Sequence, residues 1–247
     1  MFQLVDLSQI KVLAWDIGGT VFNWRGTIQK ELETLSREQN VDLDIFQFAS
    51  EWRYGMFDML AKVRSGEIPR MNADQIHRKV LDDVIDSDGI LSLSESERDV
   101  LNTVWHRLEA WDDAPDAIER LRGRYIVVPL TVLSWSIGVD CSKFNGINWD
   151  GLISCEFLRQ YKPDPGSYLH AAELLNVDPN EIMMCAAHTS DLVAAKKTGF
   201  KTAFVYRDIE KARDVSNGTF SEEPSVPLEF FDVHGQNFSE LADKLLT

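Results

Sequence analysis

The stretch Lys11-Val12-Leu13-Ala14-Trp15-Asp16-Ile17-Gly18-Gly19-Thr20 decides how the rest of the chain reads. An apolar run of strand length leads straight into an acid, and the glycine pair then breaks any regular element. A buried strand ending this way predicts a parallel strand whose C-terminal end carries a site, because ligands of open α/β sheets bind there. Three later runs repeat the pattern: residues 125–133 end at Ser134, residues 181–187 at His188 and residues 202–206 at Arg207. Helical patterns separate them at residues 116–122, 166–175 and 191–198. Such alternation predicts an α/β fold built on a doubly wound parallel sheet.

Between the first two strands the pattern changes. Residues 27–39, 44–63, 72–86 and 94–109 are amphipathic with apolar spacings near 3.6, joined by polar breaks such as Ser65-Gly66-Glu67-Ile68-Pro69. No strand is expected there. The reading is a helical cap at residues 26–111, inserted into a core formed by residues 1–25 and 112–247. At roughly 150 residues per domain, a chain of 247 suits one core with a smaller appended unit. Residues 217–227 read as a loop and 237–246 as a closing helix.

Composition removes several classes of function. Forty acidic residues against 25 basic ones give a net charge of −15, which argues against a nucleic-acid partner. No apolar run approaches the ~18 residues of a membrane span. The N-terminus lacks a basic start and has Asp6 inside the would-be apolar stretch, so it does not read as a signal peptide. Cys141, Cys155 and Cys185 are an odd set without Cys-x-x-Cys spacing, which fits neither a disulfide framework nor a zinc ribbon. A cytoplasmic, reducing setting is expected. His77, His106, His170 and His234 show no metal-ligand spacing and are expected at the surface or in packing, with no metal site.

The strand ends and one loop offer Asp16, Thr20, Ser134, Lys162 and Asp191. Each alone has an ordinary explanation: a turn-forming aspartate, a helix-capping serine, a surface lysine beside a Pro-Asp-Pro turn. As an ordered set at converging strand ends they point to a site.

These residues carry a family resemblance. Residues Trp15-Asp16-Ile17-Gly18-Gly19-Thr20-Val21-Phe22 resemble the first motif of the haloacid dehalogenase (HAD) superfamily, strand–Asp–x–x–Gly–Thr. Leu133-Ser134 is similar to the second motif, and Tyr161-Lys162-Pro163-Asp164-Pro165 with Tyr168 to the third. Ala186-Ala187-His188-Thr189-Ser190-Asp191-Leu192 is similar to the fourth. Trp52-Arg53 and Asn23-Trp24-Arg25 resemble the type II, L-2-haloacid dehalogenase branch. The resemblance runs from about residue 10 to residue 210 and implies a HAD-like, Rossmann-like core under a cap.

Enzymes of this superfamily use the first aspartate as nucleophile on phosphoesters or on carbon–halogen bonds. Phosphatases need a second acid two positions on to protonate the leaving alkoxide, and here that position is Gly18. They also hold Mg²⁺ on carboxylates of the fourth motif, where this chain offers Asp191 beside Ala186 and Ala187. Halide departs without a proton, so the resemblance favours metal-independent dehalogenation of short 2-haloacids. Two alternatives stay open: a Mg²⁺-dependent small-molecule phosphatase, and a catalytically impaired HAD-like binding protein.

The roles the resemblance implies are these. Asp16 attacks the halogen-bearing carbon and water activated near Asp191 hydrolyses the ester. Lys162 keeps Asp16 ionised and Thr20 hydrogen-bonds it. Ser134 and the backbone N–H groups of Ile17 and Trp135 hold the substrate carboxylate. Arg53 receives the halide from the cap, and Tyr168 supports the site. His188 is either structural or orients water. No cofactor is implied; the partners are a small-molecule carboxylate substrate and, as in related enzymes, a second copy in a homodimer. The branch usually has asparagine where Trp135 stands, so its indole either donates to the halide or fills the pocket.

Overall fold

The computed structural model describes residues 6–158, 160–207 and 226–247. Strand β1 (Val12–Trp15) is buried on both faces, as its unbroken apolar run requires. It lies between β2 (Ile126–Thr131) and β4 (Ile182–Ala186). Strands β3 (Ile153–Ser154), β5 (Lys201–Val205) and β6 (Val233–Gly235) complete the all-parallel order β3-β2-β1-β4-β5-β6. The chain steps outward from β1 through β2 to β3, then returns to β4 on the other side. The crevice between the C-terminal ends of β1 and β4 is therefore the topological switch point of the sheet. The doubly wound sheet read from the sequence is what forms.

Helices α1 (Trp24–Gln39), α2 (Ile45–Ser65), α3 (Ala73–Asp88) and α4 (Glu95–Asn102) follow β1. Side chains of Asn23, Asp44, Asn72 and Ser94 cap their N-termini, and Asn72 and Ser94 do so in reciprocal capping boxes with Gln75 and Glu97. Residues 94–109 were expected as one helix, but α4 tightens into a 3₁₀ turn at Thr103–Arg107. The change begins at Thr103, whose hydroxyl bonds the Val100 carbonyl and competes with the helical ladder.

The insert enters and leaves side by side. Phe22 pairs antiparallel with Ala110, Asn23 N–H donates to Glu109 O at 2.8 Å, and Trp111 N–H donates to Val21 O at 3.0 Å. The rest of the core alternates α5 (Ala114–Arg122), α6 (Trp135–Asn145), α7 (Pro165–Leu175) and α8 (Thr189–Lys197) with the strands. Closing helix α9 (Phe238–Leu246) stacks Phe238 on Trp15 at 4.7 Å. Of the loop expected at 217–227, residues 217–225 lie outside the described residues. No described helix is long and apolar enough to cross a membrane.

Polar contacts hold the cap down on the core. The Arg64 guanidinium forks onto Asp164 at 2.9 and 3.2 Å. Arg70 donates to the carbonyls of Cys155, Glu156 and Leu158, and Tyr161 OH donates to Met71 O at 2.9 Å. His106 bridges Asp74 on α3 and Asp140 on α6, at 2.6 and 2.7 Å. The bond to Asp74 is the largest influence on this imidazole, and with Asp140 it outweighs partial burial to raise the pKa above 6.5.

A group whose folded pKa is raised adds stability that is complete below its unfolded pKa and is lost as pH rises through the folded one. The thermal midpoint of His106→Gln should therefore lie clearly below wild type at about pH 6, and the gap should narrow toward about pH 9. A gap of constant size across that range would show that the charged imidazolium does not form the bridge.

Candidate active site

Asp16 is the first residue beyond β1, and its N–H still reaches across to Cys185 O on β4 at 3.0 Å. Gly19 then takes φ +95°, a left-handed conformation costly to any residue with a Cβ. The chain doubles back, and the N–H groups of Val21 and Phe22 both return to Ile17 O. This turn puts the Thr20 hydroxyl 2.8 Å from Asp16 Oδ2. The same oxygen of Thr20 accepts the Ala187 N–H at 3.0 Å, which leaves its proton aimed at the carboxylate.

The other site residues come from three separate segments. Lys162 Nζ lies 3.1 Å from Asp16 Oδ1 and 2.6 Å from Asp191 Oδ2. Tyr168 on α7 donates its hydroxyl to Asp191 Oδ1 at 2.6 Å. His188 Nδ1 is 3.0 Å from Asp16 Oδ2. Asp16, Thr20, Lys162, Tyr168 and Asp191 are all buried. The structure thus gathers most of the sequence-derived set around one carboxylate.

Burial acts to raise the Asp16 carboxyl, but the Lys162 ammonium, helped by His188 and Thr20, reverses this and holds it well below the usual 3.8. Asp191 goes the other way. Burial and the charge of Asp16 raise it above 3.8 despite Lys162 and Tyr168. The two carboxylates raise Lys162 against its own burial, so the ammonium stays charged. Desolvation and the Asp191 charge keep the Tyr168 phenol protonated as a donor. Burial also pushes the Cys155 thiol up to about 11, which removes it as a nucleophile.

Arg53 is buried above this group, and its Nη2 donates to Gly18 O at 3.3 Å. The guanidinium sits 4.6 Å over the Phe57 ring and 5.4 Å from the Trp24 ring. A Cβ at position 18 would stand 3.2 Å from Nη2, so the missing side chain is what lets Arg53 settle on the loop.

The second motif is arranged differently from expectation. Ser134 caps α6 by accepting the Ile137 N–H at 3.2 Å, and its hydroxyl lies 3.1 Å from that of Ser136, which donates to the carboxylate of Asp74 from the cap at 3.3 Å. The Trp135 N–H, expected free for a substrate carboxylate, donates to Glu156 Oε1 at 2.8 Å. Trp135 is 46% exposed, so a large part of this residue faces solvent. Ile17 is fully buried at the end of β1.

Arg207 was read only as the residue after a strand. Its Nε donates to Thr20 O at 3.1 Å while its fork grips Asp113 at 2.8 and 3.0 Å, so it braces the turn that carries Thr20. Nothing in the spacing of Asp74, Glu156 or Arg207 signals these roles, because all are contacts between distant segments.

Mg²⁺ does not fit this donor set. The Lys162 ammonium lies between the two carboxylates that would bind the ion, and Ala186 and Ala187 bring no further side-chain oxygen. Among the described residues no group of three or more His, Cys, Asp or Glu side chains is arranged to hold a metal.

The model of haloacid dehalogenase-like hydrolases matches residues 10–199, from the first strand to the turn before β5. The chain belongs to that family. It is 32% identical over 114 residues to an (S)-2-haloacid dehalogenase of Burkholderia cepacia, a match covering 44% of this chain and 49% of that protein. Matches to the curated relatives thus span about half of their length, between 38% and 65%. Whole-chain likeness is seen among structures. A crystal structure of an L-2-haloacid dehalogenase superposes with TM-score 0.86 at 30% identity, covering 96% of this chain and 99% of that one. A defluorinating L-2-haloacid dehalogenase superposes with TM-score 0.87 at 30% identity, covering 96% of each chain.

In this family member the Lys162 bridge should be indispensable to the fold. Removing one partner of a buried ion group leaves uncompensated charge, at a cost on the order of 3–5 kcal/mol. Lys162→Met should lose stability of that order in urea unfolding at neutral pH. A loss under about 1 kcal/mol would mean that the two carboxylates are not held by the ammonium.

Proposed function

We propose that this protein hydrolyses short 2-haloacids through an aspartyl ester, without a metal. The observation that carries the reading is the state of Asp16: a buried carboxylate kept ionised by Lys162, with no acid at position 18 to serve an alkoxide leaving group.

An Asp16 oxygen displaces halide from the carbon next to the substrate carboxylate, inverting that carbon and forming an ester. The electron pair of the broken bond leaves on the halide, and Arg53 receives it. Water then adds to the Asp16 carboxyl carbon. Asp191, the carboxylate that remains once Asp16 is esterified, takes its proton and returns it to the alkoxide oxygen as the ester C–O bond breaks. Thr20 and His188 stand at Oδ2, where negative charge collects as the carbonyl becomes tetrahedral. Collapse releases the 2-hydroxyacid and restores Asp16, with the net production of one halide and one proton.

The relatives named as haloacid dehalogenases support the substrate class, and the buried free thiols suit the cytoplasmic setting. The experiment is halide release from 2-chloropropionate by wild type and Asp16→Asn, with EDTA and with added Mg²⁺. Wild type should turn over equally under both conditions, and freshly made Asp16→Asn should retain below about a hundredth of the rate. Phosphate release from p-nitrophenyl phosphate that depends on Mg²⁺, with no halide release, would replace this reading by the phosphatase.

The N-terminus of α6 is the element suited to the substrate carboxylate, through Ser134 and the Trp135 N–H. Glu156 already accepts from that N–H and must yield to the substrate. Glu156→Gln should therefore lower KM for 2-chloropropionate several-fold with kcat little changed. A raised or constant KM would place the substrate carboxylate elsewhere.

A further inference from the structure

Two aromatic rings beside Arg53 bear hydrogen-bonding atoms that the fold leaves unused. His77 on α3 is fully buried and lies flat on Trp105, at 3.9 Å between centroids and 8° between planes. Neither of its ring nitrogens has a hydrogen-bond partner, nor has the buried Nε1 of Trp105. Its backbone is fixed: the carbonyl accepts from Trp52 Nε1 at 2.8 Å, on the residue before Arg53. The Arg53 guanidinium is 5.9 Å from the centroid of the Trp105 ring. Burial and, next to it, the Arg53 charge hold the His77 pKa far below 6.5, so the imidazole is neutral and carries one N–H.

Buried donors without acceptors are costly and rare in folded proteins. Two of them next to a buried guanidinium make poor packing and a good anion site. Their N–H groups lie on the ring edges, the positive rim of an aromatic system.

We propose that His77 and Trp105, together with Arg53, form the pocket for the departing halide, and that His77 sets the preference among leaving groups. This rests on the dehalogenation reading above and adds to it the donors that solvate the product ion. As the Asp16 oxygen bonds to carbon, the carbon–halogen bond breaks with its electron pair, and no proton moves. The charge carried by Asp16 arrives on the halogen, where Arg53 balances it and the N–H groups bond it. Smaller halides have higher charge density and accept stronger hydrogen bonds. Loss of one N–H therefore harms chloride release more than bromide release.

The test compares wild type with His77→Phe, which keeps a stacking ring and removes the N–H, and with Trp105→Phe, which does the same on the other ring. Chloride binding is followed by the chloride NMR line width, and turnover on 2-chloro- and 2-bromopropionate by halide release. For a hydrogen bond to a charged group, chloride affinity should fall roughly tenfold in each variant, and the chloro-to-bromo ratio of kcat/KM should fall by a similar factor. A donor restored by His77→Gln should recover part of that ratio. Folded variants with unchanged chloride affinity and unchanged ratio would overturn the halide pocket while leaving dehalogenation intact. Chloride binding that depends on His77 in a wild-type protein releasing no halide would uphold the pocket and remove the dehalogenase reading.

Discussion

The Lys162 ammonium, buried between Asp16 and Asp191, is the interaction on which the site depends. Two carboxylates brought to adjoining strand ends would otherwise repel, and burial would protonate at least one of them. One ammonium cannot neutralise both. The asymmetry of the remaining partners then divides the work: Asp16 has Thr20 and His188 on its second oxygen, while Asp191 has the Tyr168 phenol. The result is one carboxylate held firmly ionised and a neighbour with a higher pKa, which are the properties wanted in a nucleophile and in a base. The same ammonium takes the place a divalent ion would need.

The interior and the surface differ in sign. The chain carries a net charge of −15, yet its buried charged side chains, among the described residues, are Arg25, Arg53, Lys162 and Arg207 against Asp16 and Asp191. With His77 neutral, four cations against two anions leave the interior at +2. An anion approaching the buried group would thus meet an unfavourable outer field and a favourable local one, and the low dielectric inside gives the nearer charges the greater weight.

The parts of this protein that are legible in the sequence are those set by local pattern. Strand β1 and its Asp16 could be read because a both-faces-buried strand is continuously apolar and its ending is abrupt. The cap helices could be read because period and capping residues agree. Strands β3 and β6, with two and three residues, are too short for any period to register. Asp16, Thr20, Lys162 and Asp191 were accessible as motif positions, since each lies at a strand end or beside a proline turn. The exposure of Trp135 was not legible, because a helix N-terminus fixes where its backbone points but not which way the indole turns. Arg207, Glu156, Asp74 and His77 act through contacts between remote segments, and one-dimensional spacing holds no trace of those.

The paired crossing at Phe22 and Ala110 bears on how such a molecule can come to exist. Both ends of the long insertion are stitched together by a few backbone bonds, so the core meets it as it would meet a hairpin. Closing a loop costs entropy that grows only with the logarithm of its length, and here the closure is made locally by the stitch itself. The scaffold is therefore nearly indifferent to what is spliced in at that seam. The order of the sheet is thereby set apart from the sequence of the insertion, in which Arg53 lies.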